Sequence, residues 1–143
     1  VLFRSQNGWV ALGTDFPVED INPFKTFLAS VARKDAQNYP ENGFQRENAL
    51  TREQTLRGMT IWAAKSVFQE KERGSLEVGK NADFIILNQD LMNIDEKDIL
   101  KTNVLETWVD GTKTYYNQKY FDDLAKKLSG RAVSLDIIEA KAK

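Results

Sequence analysis

The sequence of 143 residues contains no cysteine and no histidine. Without cysteine, a disulfide framework, a thiol nucleophile and a thiolate metal site are excluded, and the redox compartment is undetermined. Histidine is the commonest metal ligand in proteins, and its absence removes the usual nitrogen donor. A metal site built from this chain alone would therefore be incomplete.

The chain also lacks a long apolar run and an excess of charge of either sign. No apolar stretch approaches the length that spans a bilayer. The formal net charge is −1, so neither nucleic acid nor an anionic membrane surface is indicated as a partner. The length predicts one domain with a modest core. Because the chain does not begin with methionine, we expect Val1 to be an internal residue of a longer polypeptide; the compartment is undetermined, with the cytoplasm favoured.

The first half of the chain predicts strand, helix, loop and helix. The apolar segment Trp9–Thr14 lies between Gly8 and Pro17, which is typical of a short buried strand. Asn22 and Pro23 predict a helix start, with asparagine as N-cap and proline at the first helical position. The buried face of this helix is predicted to be Phe24, Phe27, Leu28, Val31 and Ala32.

A second helix is predicted from Thr51 to Phe68. Thr51 and Gln54 form a capping-box pattern at its start, and Gly74 is the expected stop. The predicted packing face consists of small and medium residues, namely Leu56, Met59, Thr60, Ala63, Ala64 and Val67.

From Gly74 onward the pattern changes to short strands. Gly74–Lys80 predicts turn, short strand and turn, and Ala82–Leu87 predicts a buried strand. Val104–Val109 and Lys113–Tyr116 flank an Asp-Gly pair, which is a strong hairpin signal. A helix with one apolar face is expected over Tyr120–Leu128, ending at Gly130. The chain is therefore of the α/β class, with the end of an α/β barrel followed by a small β domain.

Asp15 is the candidate functional residue. It follows the predicted strand in Leu12-Gly13-Thr14-Asp15-Phe16-Pro17, where proline stops the ladder. In barrel enzymes, catalytic groups lie at this end of the strands. From the pattern alone, an Asx-type turn cap is the alternative role for this carboxylate.

Several segments in order resemble the C-terminal part of metal-dependent amidohydrolases (amidohydrolase family 3), in the branch that includes N-substituted formamide deformylases. They are Leu12–Glu19, Ala63-Ala64, Gly74–Phe84 and Val109-Asp110-Gly111. The resemblance covers about Asn7 to Asn117, and the stretch that begins at Gly74 is its most specific part.

The resemblance implies an architecture, a distorted (β/α)8 TIM barrel with a small β-sandwich domain built from both ends of the chain. Residues 7–73 would form the end of the barrel, with Trp9–Asp15 as its last strand and Thr51–Phe68 as its last helix. Residues 74–117 would form part of the sandwich, and 118–143 a C-terminal helical tail. The sandwich strands would be Leu76–Leu87 and Val104–Tyr116.

The resemblance also implies chemistry. Asp15 would bind a divalent metal, with zinc expected, and act as general base for a metal-bound water that attacks a carbon–nitrogen bond other than a peptide bond. The substrate would be a small amide-type molecule. The remaining ligands would lie in the rest of the same polypeptide, so the chain alone is expected to be inactive and not to hold the metal; a homo-oligomer stays open.

Two other interpretations stay open. The chain could be a non-enzymatic interaction module derived from an amidohydrolase, or a subunit completed by a separate histidine-bearing chain. Other carboxylates are expected to be structural: Glu19 in a loop, Asp83 capping a turn, and Asp95–Asp98 at a solvated helix start.

Overall fold

The computed structural model describes the backbone of residues 7–141 and the side chains of residues 7–129. Within this part of the chain, helices and one small antiparallel sheet follow each other in sequence. The helices are α1 (Pro23–Ala32), α2 (Arg52–Met59), α3 (Ile61–Ser66) and α4 (Gln118–Lys141); the strands are β1 (Phe84–Leu87), β2 (Val104–Val109) and β3 (Thr112–Tyr116); short 3-10 turns span Arg46–Asn48 and Glu96–Lys101.

Helix α1 begins and packs as the sequence predicts. The Asn22 side chain accepts a hydrogen bond from the Phe24 amide at 3.0 Å, and Pro23 occupies the first turn. The helix ends at Arg33, whose φ of 56° places it in the left-handed region. Its predicted apolar face is buried: Phe24, Phe27, Leu28, Val31 and Ala32.

The hydrophobic core forms where α1 meets the 3-10 turn Glu96–Lys101. Ile99 from that turn is fully buried against the α1 face. Burying one such aliphatic or aromatic side chain stabilises the fold by about 1.5–3 kcal/mol relative to exposure. The partly buried residues around this core are Met59, Leu87, Leu91, Ile94, Leu100 and Val104.

Two arginines fasten the loops around this core. Arg46 donates to the Ala32 carbonyl at 2.6 Å and pairs with Glu96. The Arg52 guanidinium donates to the carbonyls of Leu91 and Ile94. Because a guanidinium presents several donors in a fixed fork, one side chain can satisfy two loop carbonyls at once.

The second predicted helix begins correctly but is broken in two. The capping box is present, since the Gln54 amide donates to the Thr51 hydroxyl and the Thr51 amide donates to the Gln54 side chain, both at 3.1 Å. At Thr60 the backbone leaves the helical region, with φ −124° and ψ −96°. The Thr60 hydroxyl donates to the Leu56 carbonyl at 2.7 Å; such bonds compete with the helical ladder and bend helices.

The prediction of its packing face is confirmed only in part. Ala64 of the predicted face is buried and Met59 packs partly buried against the core, but Thr55 and Gly58, which were not predicted, are buried as well. Leu56 and Val67, which were predicted to be packed, are 43% and 60% exposed. The helical backbone ends at Ser66, well before Gly74.

The sheet has the order β1-β2-β3, with both pairs antiparallel. The predicted hairpin between β2 and β3 is confirmed. Its turn residues Asp110 and Gly111 both have positive φ, 49° and 72°, as the two-residue turn that fits the twist of a hairpin requires. Phe84 stacks on Trp108 across the first strand pair, with ring centroids 5.6 Å apart.

Two strand predictions are corrected. Gly74–Lys80 contains turns and no strand, and the predicted strand Leu76–Leu87 is present only as β1. β1 is also not buried, because Ile85 and Ile86 are 48% and 42% exposed. Among the described residues only β2 pairs with it, so one edge and part of both faces lack cover.

The C-terminal helix begins near the predicted position but does not end at Gly130. α4 starts at Gln118, two residues before the predicted Tyr120, and its backbone continues to Lys141. Phe121 stacks on Tyr116 of β3 with ring centroids 4.8 Å apart. Helices together with the antiparallel sheet fit the predicted α/β class.

Candidate functional site

The segment before Asp15 is not the buried strand that the sequence predicts. None of residues 9–14 belongs to a strand in the described structure, and these residues are half-buried or exposed. A strand needs neighbouring backbone to take its donors and acceptors. The apolar pattern of Trp9–Thr14 indicates a strand, but the described part of the chain supplies no neighbour to pair with it.

This segment is instead held against α2 and α3. The Leu12 amide donates to the Gly58 carbonyl at 2.9 Å. The Nζ of Lys65 lies 4.8 Å from the centroid of the Trp9 ring, a cation–π contact. The two contacts fix the segment at two points, three residues apart along the chain.

Asp15 lies at the start of a tight turn after this segment. Its φ of 54° is in the left-handed region, which aspartate tolerates better than most residues. Its carbonyl accepts a hydrogen bond from the Val18 amide at 2.8 Å. The turn is therefore closed by the backbone and not by the Asp15 side chain.

The Asp15 carboxylate is exposed and has no hydrogen-bond or ion-pair partner among the described residues. The alternative role that the pattern allows, an Asx-type cap, is not observed. Because the Asp15 carboxylate forms no hydrogen bond within its own loop, it remains available to bind a ligand or to accept a proton.

A cavity of about 600 Å³ lies beside the Asp15 turn. Its lining includes Gly13 and Thr14, which precede Asp15 in the sequence, and Glu19 and Asp20, which follow it. Residues of α1 and of the loop after α1 complete the lining. Asp15 itself is not among the described lining residues. Lys25 donates to Asp20 at 2.7 Å. This hydrogen bond, together with one from the Asn22 amide, lowers the pKa of Asp20 and ties the loop to α1.

The described residues do not form a complete metal site. No group of three or more aspartate or glutamate side chains among them is placed to hold an ion, and histidine and cysteine are absent from the sequence. Known zinc sites use at least three protein ligands. Asp15 could contribute one ligand, but the described residues do not complete a site around it.

The other carboxylates follow the structural expectations. Asp83 accepts a hydrogen bond from the Asp110 amide at 2.8 Å and caps the hairpin turn. Asp95 precedes the 3-10 turn, and Asp98 pairs with Lys101 at 2.6 Å. Glu19 is exposed beside the cavity.

Gly58 was not identified as important from the sequence. A glycine inside a helix costs about 1 kcal/mol relative to alanine, so its presence in α2 is a signal that a neighbour approaches closely. The structure shows this neighbour to be Leu12.

None of the helices in the described part of the chain combines the length and apolar character needed to cross a bilayer.

Comparison with known proteins identifies the family. The model of the amidohydrolase family matches residues 4–115. Protein LONG AFTER FAR-RED 3 of Arabidopsis thaliana is 34% identical over 109 residues, which cover 76% of this chain and 18% of that protein. N-substituted formamide deformylase of Arthrobacter pascens is 30% identical over 106 residues, which cover 74% of this chain and 19% of that protein.

A solved amidohydrolase structure from Thermotoga maritima MSB8 is 23% identical, with a TM-score of 0.45, covering 75% of this chain and 23% of that one. The chain thus spans about a fifth of the length of the relatives that it matches. The family match extends over most of the chain and includes the Asp15 turn, helices α2 and α3, and the hairpin up to residue 115. This chain belongs to the amidohydrolase family.

Proposed function

We propose that this chain supplies Asp15 as the proton-accepting carboxylate of an amidohydrolase active site that hydrolyses a carbon–nitrogen bond other than a peptide bond. The observation that supports this most directly is the unpaired Asp15 carboxylate at a backbone-closed turn. The family match and the name of the Arthrobacter relative suggest the substrate class, a small N-substituted amide.

The proposed role of Asp15 is to move one proton. A water oxygen forms a bond to the amide carbon and loses a proton to the Asp15 carboxylate. The carbon–nitrogen bond then breaks, and the protonated Asp15 gives that proton to the leaving nitrogen, so the products are a carboxylic acid and an amine. A carboxylate within hydrogen-bond reach of the water serves this purpose as general base and then general acid.

We include a divalent metal, with zinc expected, in the proposed site. Asp15 would be one ligand, and the other ligands would come from outside this chain, because the described residues do not complete a site.

The proposal also includes the family architecture. Residues 9–14 form no strand in the described structure, which fits a barrel strand whose neighbouring strands lie outside the described residues. The exposed edge and faces of β1 fit a sandwich that further strands would complete. We therefore treat the active enzyme as this chain joined to the remaining region of an amidohydrolase, called the complete enzyme below.

The test compares two substitutions in the complete enzyme, assayed on an N-substituted formamide with zinc at saturation. Asp15→Asn keeps the size of the side chain but removes the base, and kcat/KM is expected to fall at least on the order of 10²–10⁴-fold. Glu19→Gln, on the same loop, is the matched control and is expected to cost far less. Retention of activity within about tenfold in Asp15→Asn, below the range for a general base, would show that Asp15 is only a turn residue.

A further inference from the structure

Gly58 and Leu12 are in unusually close contact. The Gly58 carbonyl accepts the hydrogen bond from the Leu12 amide at 2.9 Å, and Gly58 is buried in α2. This backbone hydrogen bond ties the segment before Asp15 to α2.

The contact leaves no room for a side chain at position 58. A Cβ atom placed there would lie 2.9 Å from both Cγ and Cδ1 of Leu12 and 3.0 Å from the Val10 carbonyl oxygen. The φ of Gly58 is not positive, so backbone freedom does not explain a glycine in the helix interior. Close approach of the Leu12 segment is the physical reason for the glycine.

We propose that Gly58 is a positioning residue for Asp15, and this inference depends on the function proposed above. Leu12 precedes Asp15 by three residues, a span of at most about 11 Å. If a methyl group at position 58 moves Leu12 away, the hydrogen bond lengthens and the start of the Asp15 turn moves with it. A misplacement of about 1 Å in an active site can cost on the order of 10²-fold in rate.

The contact between Trp9 and Lys65 of α3 holds the segment at a second point. Sliding the whole segment to absorb a displacement at Leu12 would therefore cost this contact. The displacement is passed more easily toward Asp15, whose side chain has no hydrogen bond or ion pair among the described residues to hold it.

The first measurement follows the segment directly. Hydrogen exchange of the Leu12 amide is compared in the chain and in Gly58→Ala. We expect the Leu12 amide to lose protection while amides of α1 keep theirs. Arg57→Ala is the control on the same helix, because Arg57 is exposed and forms an ion pair with Glu53; it should leave the Leu12 amide protected.

The second measurement uses the complete enzyme. Gly58→Ala is expected to lower kcat on the order of 10²-fold with little change in KM, because proton transfer and not substrate binding is disturbed. Adding Leu12→Ala removes both side-chain atoms that the new Cβ would meet. The double variant should therefore recover part of the lost protection and activity, and it remains measurable if Gly58→Ala alone does not fold.

Each outcome decides the inference. Retained protection of the Leu12 amide in Gly58→Ala would overturn it. Lost protection with unchanged kcat, while Asp15→Asn is inactive, would overturn the link to Asp15 and leave the proposed function intact. Activity in Asp15→Asn would overturn both. Lost protection and lower kcat, with partial recovery in the double variant, would support it.

Discussion

The Asp83 carboxylate accepts a hydrogen bond from the Asp110 backbone amide at 2.8 Å, joining positions 27 residues apart. The Gly111 amide next to it donates to the Ala82 carbonyl at 3.1 Å. The start of β1 is thereby fastened to the hairpin turn between β2 and β3. This explains an aspartate at position 83 without a role in catalysis.

Removal of this carboxylate is expected to weaken the hairpin. Asp83→Ala leaves the Asp110 amide without its charged acceptor, and since the site is exposed to water we expect a loss of about 1 kcal/mol. Urea unfolding of the chain measures it, with Asp95→Ala as a control on a carboxylate that forms an exposed ion pair with Lys97. Equal losses in the two variants would show that Asp83 acts only through its charge.

Substitution of Gly111 tests the effect of backbone strain separately from that of steric crowding. A Cβ at this position would meet only the Ala82 Cβ, at 3.9 Å, which is ordinary contact, but its φ is +72°. Gly111→Ala should therefore destabilise the chain by about 1–2 kcal/mol through the left-handed backbone alone. Gly111→Asn, a residue that tolerates this region, should cost less than Gly111→Ala; the reverse order of unfolding free energies would contradict the backbone explanation.

Arg52 is expected to be irreplaceable by lysine. Its guanidinium donates to two carbonyls, those of Leu91 and Ile94. The lysine ammonium is a compact charge on a flexible chain and does not reproduce the planar, forked arrangement of guanidinium donors. Arg52→Lys should lower the free energy of unfolding by about 1.5–3 kcal/mol, the range for a hydrogen bond to a charged group. Arg57→Lys, at an exposed ion pair with Glu53, is the matched control and should change it little.

These local signals also show how far the sequence predicts the fold. The Asn22 cap, the Thr51 capping box and the Asp-Gly turn are each determined by residues within four positions of one another, and all three are confirmed. The predicted strand over Trp9–Thr14 is absent from the described structure, because a strand needs a neighbouring strand to pair with and the described residues supply none there. The pattern reports the apolar character of the segment and cannot report whether a neighbour is present.

The candidate site likewise has features that the sequence predicts and features that it does not. The position of Asp15 at a turn after an apolar segment could be predicted from the order of residues. The contact between Leu12 and Gly58 could not, because it joins residues far apart in sequence, and the only sequence signal was a glycine within a helix. At the break in the helix, the Thr60 hydroxyl donates a hydrogen bond to the Leu56 carbonyl. The helical periodicity of the sequence does not reveal this hydrogen bond.

Acidification is expected to destabilise the chain. Hydrogen bonds from the Met92 amide and the Asn93 side chain lower the pKa of Asp90, and a hydrogen bond from Lys101 lowers the pKa of Asp98. A carboxylate whose pKa is lower in the folded state contributes stability above its unfolded pKa, and that stability is lost as the pH falls through the folded pKa. The free energy of unfolding should therefore fall as the pH drops below about 4.

Asp90 is exposed and Asp98 is half-buried, so both remain accessible to ions and salt should reduce this dependence on pH. Asp90→Asn should make the free energy of unfolding depend less steeply on pH, because the asparagine side chain does not titrate. An unfolding free energy that stays constant from neutral to strongly acidic pH would contradict this assignment.

Zinc should bind poorly to the chain alone. The sequence provides no imidazole and no thiolate, and the described residues contain no cluster of carboxylates around Asp15. A single exposed carboxylate falls short of the three protein ligands that zinc sites need. Titration calorimetry at neutral pH is expected to give only weak binding without a defined stoichiometry, and Asp15→Asn should give the same result as the unchanged chain. A stoichiometric site of submicromolar affinity that disappears in Asp15→Asn would mean that these residues hold the metal without help, and the proposal that its other ligands lie outside this chain would then be wrong.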